Sequence, residues 1–154
     1  MDRFIFKKIS EPDVPALCEL YFQLTGNEPD KDKIIEFLKH RDDNSDFSLF
    51  GAYTADGLLI ASASLTRCFD LTDEGRDYYN LENFIVDKRY RRKGAGTFLM
   101  KKIEEFVISR NGRYINFTSS ASRKGAHAFY ETLGYKKNYV LGFKKIFNDN
   151  SGES

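Results

Sequence analysis

The residues best suited to chemistry lie in the stretch 81–99. It reads as an apolar strand, then a basic turn of Arg91, Arg92, Lys93, Gly94, Ala95 and Gly96, then a long helix opening at Thr97. A helix start leaves several N–H groups without intrahelical partners and carries about half a positive charge from its aligned peptide dipoles. Gly94 and Gly96 let the backbone approach an anion closely, and Arg91, Arg92 and Lys93 add full positive charge. Together these residues describe a cradle for a phosphate or pyrophosphate. Two nucleotide motifs fail on spacing. A P-loop places Lys-Ser or Lys-Thr after its second glycine, and here Gly96 is followed by Thr97-Phe98. A dinucleotide fingerprint needs a third small residue where this chain has Leu99, and it follows the first strand of its unit rather than the fourth. Taken alone, the segment also reads as a solvated basic helix cap with no ligand.

Glu82 is a carboxylate inside an otherwise apolar strand, an unusual place for one. Read blandly, it is an edge-facing, solvated side chain. A second informative run, Ala126-His127-Ala128-Phe129-Tyr130-Glu131-Thr132-Leu133-Gly134-Tyr135, follows the next strand. Tyr130 also reads as a core aromatic with a satisfied hydroxyl.

The elements that must position these residues follow from hydrophobic period and punctuation. Alternation predicts a strand over 3–9. Ser10, Glu11 and Pro12 start a helix that carries Leu17, Leu20, Tyr21 and Leu24 and stops at Gly26. A second helix begins near Asp30. The β-like runs 47–53 and 58–69 flank Asp56-Gly57, a hairpin signal. A polar loop over 71–79 leads to the strand 81–86. The helix over 97–110 shows Leu99, Ile103, Phe106 and Val107 on one face. A strand over 114–118, a helix over 125–133 and two closing strands over 135–140 and 143–147 complete the order. One helix separates the fourth and fifth strands, so these should lie parallel through a right-handed crossover. The expected fold is a mixed α+β sheet of about seven mostly antiparallel strands, packed by about four helices. Residues 1–147 should form a single domain, followed by a polar, flexible tail at 148–154.

Arg91-x-x-Gly94-x-Gly96 after a strand, then Phe129-Tyr130-x-x-Leu133-Gly134-Tyr135 about one βα unit later, resembles the GNAT superfamily of N-acetyltransferases. The resemblance is strongest over 81–135, and the flanking element order extends it to nearly the whole domain. It implies that acetyl-coenzyme A is the co-substrate, with its pyrophosphate on backbone N–H groups of Arg91, Arg92, Lys93, Gly94, Ala95, Gly96 and Thr97. It implies that Phe84, Ile85 and Val86 pair with the pantetheine arm, and that the Val86 N–H polarises the thioester carbonyl. Tyr130 matches the tyrosine that the family often places near the thioester sulfur, and Phe129 accompanies it. Glu82 falls where many members carry a base. Carboxyl groups ionise near 4.3 and alkyl ammonium groups near 10.4. A base there therefore needs burial, a relaying water or an amine that arrives partly neutral.

The chain departs from the family at Arg123, where many relatives have Asn. The arginine reaches the coenzyme phosphates or only caps a strand end, and contacts from Ser119 and Ser122 are open with it. His127 reads as a structural or surface residue. On the acceptor side the resemblance points to Tyr21, Thr25, Gly26, Asn27, Glu28, Arg67, Phe69, Asp70, Asp73, Glu74, Tyr78 and Tyr79, where acids outnumber bases and suit a cationic amine.

The chain's 154 residues suit one domain. Its 24 Lys and Arg against 23 Asp and Glu leave a net charge of +1, without the basic excess of a general nucleic-acid binder. With 14 Phe and nine Tyr it can build a packed interior. Cys18 and Cys68 lie far apart with no metal-ligand spacing, so neither a metal nor a disulfide framework is expected. No apolar run has membrane-spanning length and the start is unlike a signal peptide, so a cytoplasmic protein is expected. The resulting expectation is an acetyl-coenzyme A-dependent acyltransferase acting on a small-molecule primary amine by direct attack. The alternatives are a non-catalytic acyl-coenzyme A sensor and a protein N-acetyltransferase. A homodimer is allowed, but no sequence feature specifies its interface.

Overall fold

The computed structural model describes residues 3–41, 46–72 and 74–147. Its strands are β1 (Phe4–Lys8), β2 (Phe47–Thr54), β3 (Leu59–Cys68), β4 (Tyr78–Val86) and β5 (Ile115–Asn116). Its helices are α1 (Val14–Thr25), α2 (Lys31–Lys39), α3 (Ala95–Ser109) and α4 (Lys124–Thr132), with single 3-10 turns at Glu11–Asp13 and Lys88–Tyr90. The chain divides into two compact units, Met1–Phe117 and Thr118–Ser154. All five strands and α1 to α3 belong to the first, and α4 to the second.

The sheet of the first unit runs β1-β2-β3-β4-β5. Neighbours are antiparallel except β4 and β5, which are parallel as the intervening helix requires. β3 is buried at every position from Leu59 to Leu65, because helices cover both sheet faces at this central strand. One face packs Leu49, Tyr53, Leu59 and Ile85 against Leu17 and Leu20 of α1. The other carries Phe50, whose ring lies 4.9 Å from Phe106 of α3, and Ile60, which packs with Phe4 and Ala95.

Local signals decide the ends of elements. The 3-10 turn before α1 is closed by Ser10, whose N–H and hydroxyl both donate to Asp13 Oδ2, at 2.9 and 3.1 Å. The same oxygen accepts from the buried Tyr53 hydroxyl at 2.9 Å, which ties the entry of α1 to β2. Gly26 ends α1 in the left-handed region at φ 77°. Asp30 caps α2 by accepting from the Lys33 N–H at 3.1 Å.

The fold class is the expected one, with five strands among the described residues instead of about seven. The runs 135–140 and 143–147 form no strand. A strand is stable when it is paired and half buried, and residues 136–147 are exposed throughout. Asn138 takes a φ of 57°, which breaks extended backbone, and Lys136, Lys137, Lys144 and Lys145 interrupt the apolar alternation. The tail 148–154 and Asp73 lie outside the described residues. No described helix is long and apolar enough to cross a membrane.

Candidate active site

Gly94 is the N-cap of α3 and sits at φ 91°. A side chain would have space there, since a Cβ would meet only the Phe4 ring at 3.9 Å. The glycine is needed for its backbone angle. The Phe98 N–H is the first to reach an intrahelical carbonyl, that of Gly94 at 2.9 Å. The N–H groups of Ala95, Gly96 and Thr97 precede it, and no side chain caps them. Arg92 holds φ 59° in the turn before them, an uncommon angle for a long side chain. Arg92 and Lys93 are exposed. Arg91 is exposed as well, and its Nε donates to the Val86 carbonyl at 3.0 Å. An uncapped helix start flanked by two exposed cations is a donor set for a diphosphate.

β4 supplies the second component. Its ladder with β5 holds only Tyr79↔Ile115 and Asn80↔Asn116. Beyond Asn80 the β5-facing edge of β4 is unpaired with β5. On the other side the register with β3 runs Ser62↔Ile85 and then Ser64↔Glu82. Asn83 and Phe84 therefore stand opposite the single residue Ala63, and Asn83 has a φ of 51°. This is a β-bulge. It leaves Glu82 and Asn83 both exposed and returns Phe84 and Ile85 to the interior. The Asp87 N–H bonds the Ile60 carbonyl of β3 at 2.8 Å. N–H direction alternates along a strand, so the Val86 N–H turns to the opposite, open edge.

Among the described residues, then, the first unit brings together the basic turn, the free amides of α3 and the open edge at Val86. Glu82 is exposed rather than buried, and the Asn80 side-chain amide lies 3.4 Å from its Oε1. Of the three ways in which a carboxylate there could act as a base, burial is removed.

Asp87 closes β4 as a buried carboxylate, 3% exposed. It accepts from the Arg89 N–H at 2.8 Å and from the Arg89 guanidinium at 2.7 Å. The Arg89 hydrogen bond holds its carboxyl below the usual range against the opposing effect of burial. Spacing gave no hint of this residue or of the bulge. The one local signal for the bulge was Asn83, because Asn tolerates left-handed backbone.

In the second unit Tyr130 is buried, 7% exposed, with its ring 5.4 Å from Phe129 and 6.4 Å from Tyr135. Burial raises the phenol's pKa, and the Arg123 cation partly offsets it. Ser119 Oγ is buried without a hydrogen-bond partner. Ser122 is exposed, its hydroxyl 3.0 Å from that of Ser120. Arg123 is the N-cap residue of α4, its N–H bonded to the Ser120 carbonyl at 3.0 Å. His127 Nε2 donates to the same carbonyl at 2.9 Å, a local structural tie.

The acceptor-side residues divide. Tyr79 is 4% exposed and belongs to the core. Tyr21, on α1, packs against the core cluster that includes Tyr53 and Ile85, and burial pushes its phenol up to about 12. Arg67 is spent on Asp77 at 2.7 Å and Asp46 at 3.5 Å. Asp70 faces Arg113 at 4.0 Å and accepts from the Thr72 hydroxyl at 2.6 Å. One acid and the one base of this acceptor-side set are thus engaged with partners. Glu28 and Glu74 remain exposed carboxylates. Tyr78 stacks on Tyr114 at 5.0 Å.

A family model described as "Acetyltransferase (GNAT) family" matches residues 14–135. A stretch of 68 residues is 31% identical to an uncharacterized N-acetyltransferase of Methanocaldococcus jannaschii, covering 44% of this chain and 30% of that protein. The matched stretch spans less than a third of that relative's length. A putative acetyltransferase from Agrobacterium tumefaciens superposes with a TM-score of 0.80 at 23% identity, over 93% of this chain and 99% of the other. A transcriptional regulator from Bacillus halodurans gives 0.82 at 20% identity, over 94% and 99%. At these identities the likeness is one of fold.

Proposed function

The chain belongs to the GNAT acetyltransferase family, and from that premise we propose that it moves an acetyl group from acetyl-coenzyme A to a primary amine of a small molecule, by direct attack in a ternary complex. The observation that carries this reading is the uncapped start of α3, joined by one short turn to the open edge of β4. A coenzyme A molecule needs both: donors for a diphosphate and a strand edge for an arm that contains amides.

In this reading the amides of 91–97 hold the diphosphate. Phe84, Ile85 and Val86 offer the edge, and the Val86 N–H donates to the thioester oxygen. A preset donor of that kind lowers the barrier by about 2.7–4 kcal/mol, because charge gathers on that oxygen as the amine adds. The amine nitrogen bonds to the acetyl carbon, the carbon–sulfur bond breaks, and sulfur leaves as a thiolate. Tyr130 supplies the proton that sulfur takes and is reprotonated from solvent, to which the attacking nitrogen gives up its second proton as the amide forms. Glu82, exposed as it is, takes the substrate ammonium proton through a water. Ser119, with its unpartnered hydroxyl, and Arg123 and Phe129 contribute to coenzyme binding. A cationic acceptor agrees with exposed Glu28 and Glu74. The protein works in the cytoplasm without a metal, nucleic acid or membrane, and a homodimer is compatible with the reading.

The test pairs calorimetric titration of acetyl-coenzyme A with thiol release over a panel of polyamines, amino sugars and a lysine peptide. The expected result is binding, together with release in the presence of at least one small amine. Binding without transfer to any amine makes the protein a coenzyme sensor, and transfer to the peptide alone makes it a protein acetyltransferase. No binding overturns the reading.

A further inference from the structure

A hydrogen bond joins the end of α1 to the turn between β4 and α3. Gln23 Oε1 accepts from the Lys88 backbone N–H at 3.0 Å, across 65 residues of sequence. The same side chain adjoins the Asp87 carboxylate and favours its charged form. The anchor is rigid, since Asp87 is buried, bonded by its own N–H to β3, and held by Arg89. Each end of this tie adjoins a segment that a substrate uses. Gly26, three residues after Gln23, ends α1 and opens the connection to α2. Val86 immediately precedes Asp87, and the basic turn begins at Arg91.

The chemistry of the side chain fits this bond. A carboxamide accepts through its oxygen and donates through its nitrogen. A carboxylate at position 23 could only accept, and would stand against buried Asp87. An apolar side chain could do neither.

We propose that Gln23 is a positioning residue through which coenzyme bound at the start of α3 orders the α1–α2 connection. This rests on the coenzyme reading above. A diphosphate on the amides of 91–97 fixes the turn that follows Lys88. The Lys88 N–H then holds Gln23, and Gln23 holds the last turn of α1 and residues 24–30, on the acceptor side. The amine therefore meets a connection already shaped by the donor.

Coenzyme A is the probe. Backbone amide exchange at 24–27 is followed with and without saturating coenzyme A in the wild type, Gln23→Met and Lys88→Pro. The proline variant deletes the donor together with an exposed lysine side chain, and Asp87, at ψ 130°, already has the angle that a residue before proline adopts. In the wild type coenzyme A should slow exchange at 24–27 about fivefold or more, the low end of ordinary coupling between sites. In each variant the slowing should fall to about twofold or less, while amides at 95–98 stay equally protected. The double variant should match either single one, because both remove the same bond. Lys88→Pro carries the test alone if Gln23→Met does not fold. Equal slowing in the variants overturns the proposal, and so does a wild type that binds coenzyme A without slowing at 24–27. A wild type that does not bind coenzyme A fails earlier, at the coenzyme reading itself, and takes this proposal with it.

Discussion

A phenol that gives its proton to a leaving thiolate must keep that proton until the thiolate forms. Burial of Tyr130 works in that direction and outweighs the Arg123 cation. Tyr130→Phe should lower kcat by about 10²-fold, the smaller end of general acid effects, with coenzyme affinity changed little. A rise in KM alone would assign the residue to binding. Asp87 has the opposite sign of shift. Its carboxyl is held low, chiefly by the Arg89 hydrogen bond. Its contribution to stability is therefore complete above the ordinary carboxylate range, about 4, and is lost as pH falls through the lowered value. Asp87→Asn keeps the size and removes the charge. It should cost about 1.5–3 kcal/mol at neutral pH, the value of hydrogen bonds to a charged group. In urea unfolding the gap to the wild type should narrow as the pH is taken down through the acid range. A gap that ignores pH would mean that Asp87 acts through shape alone.

At the scale of elements the bulge in β4 decides which side chains point where. Two residues stand opposite one at Asn83, so Glu82 faces out while Ile85 still reaches the core. A β-branched residue resists the φ of 51° found there. Asn83→Val should destabilise by about 1–2 kcal/mol, the cost of a left-handed residue, and weaken coenzyme binding by disturbing the edge at Val86. Asn83→Gly should spare both. If valine and glycine behave alike in thermal unfolding and in titration, the bulge does not set the edge. The bulge also shows what the amino-acid order leaves hidden. The strand itself was legible from its apolar run, and the start of α3 from its glycines and cations, because each is a local signal. Register is not local: a single residue slipped against β3 turns a carboxylate from core to solvent. The tie from Gln23 to Lys88 was invisible for the same reason, since neither end carries a mark of its partner. The runs 135–140 and 143–147 mislead in the opposite way. Their residues favour strands, but propensity without a paired, half-buried face does not make one.

For the whole molecule, a net charge of +1 supplies almost no long-range pull on an anionic coenzyme. Any attraction must be local, from exposed Arg92 and Lys93 and from the uncapped amides behind them. These two sources differ in their response to salt. Exposed charges are screened over about 8–10 Å at ordinary ionic strength, whereas hydrogen bonds from helix amides act at contact and persist. Replacing Arg92 and Lys93 together by Gln should weaken coenzyme A binding about tenfold at 0.05 M salt, two exposed ion pairs at up to about 1 kcal/mol each. The deficit should shrink to about threefold or less near 0.5 M, where screening has removed most of what the cations give. Titration calorimetry across that range reads both. A deficit that stays constant with salt would show the two side chains acting by contact, not by field. Loss of all wild-type binding at high salt would mean that the amides at the start of α3 hold nothing by themselves, and the diphosphate would then have to be sought elsewhere on the protein.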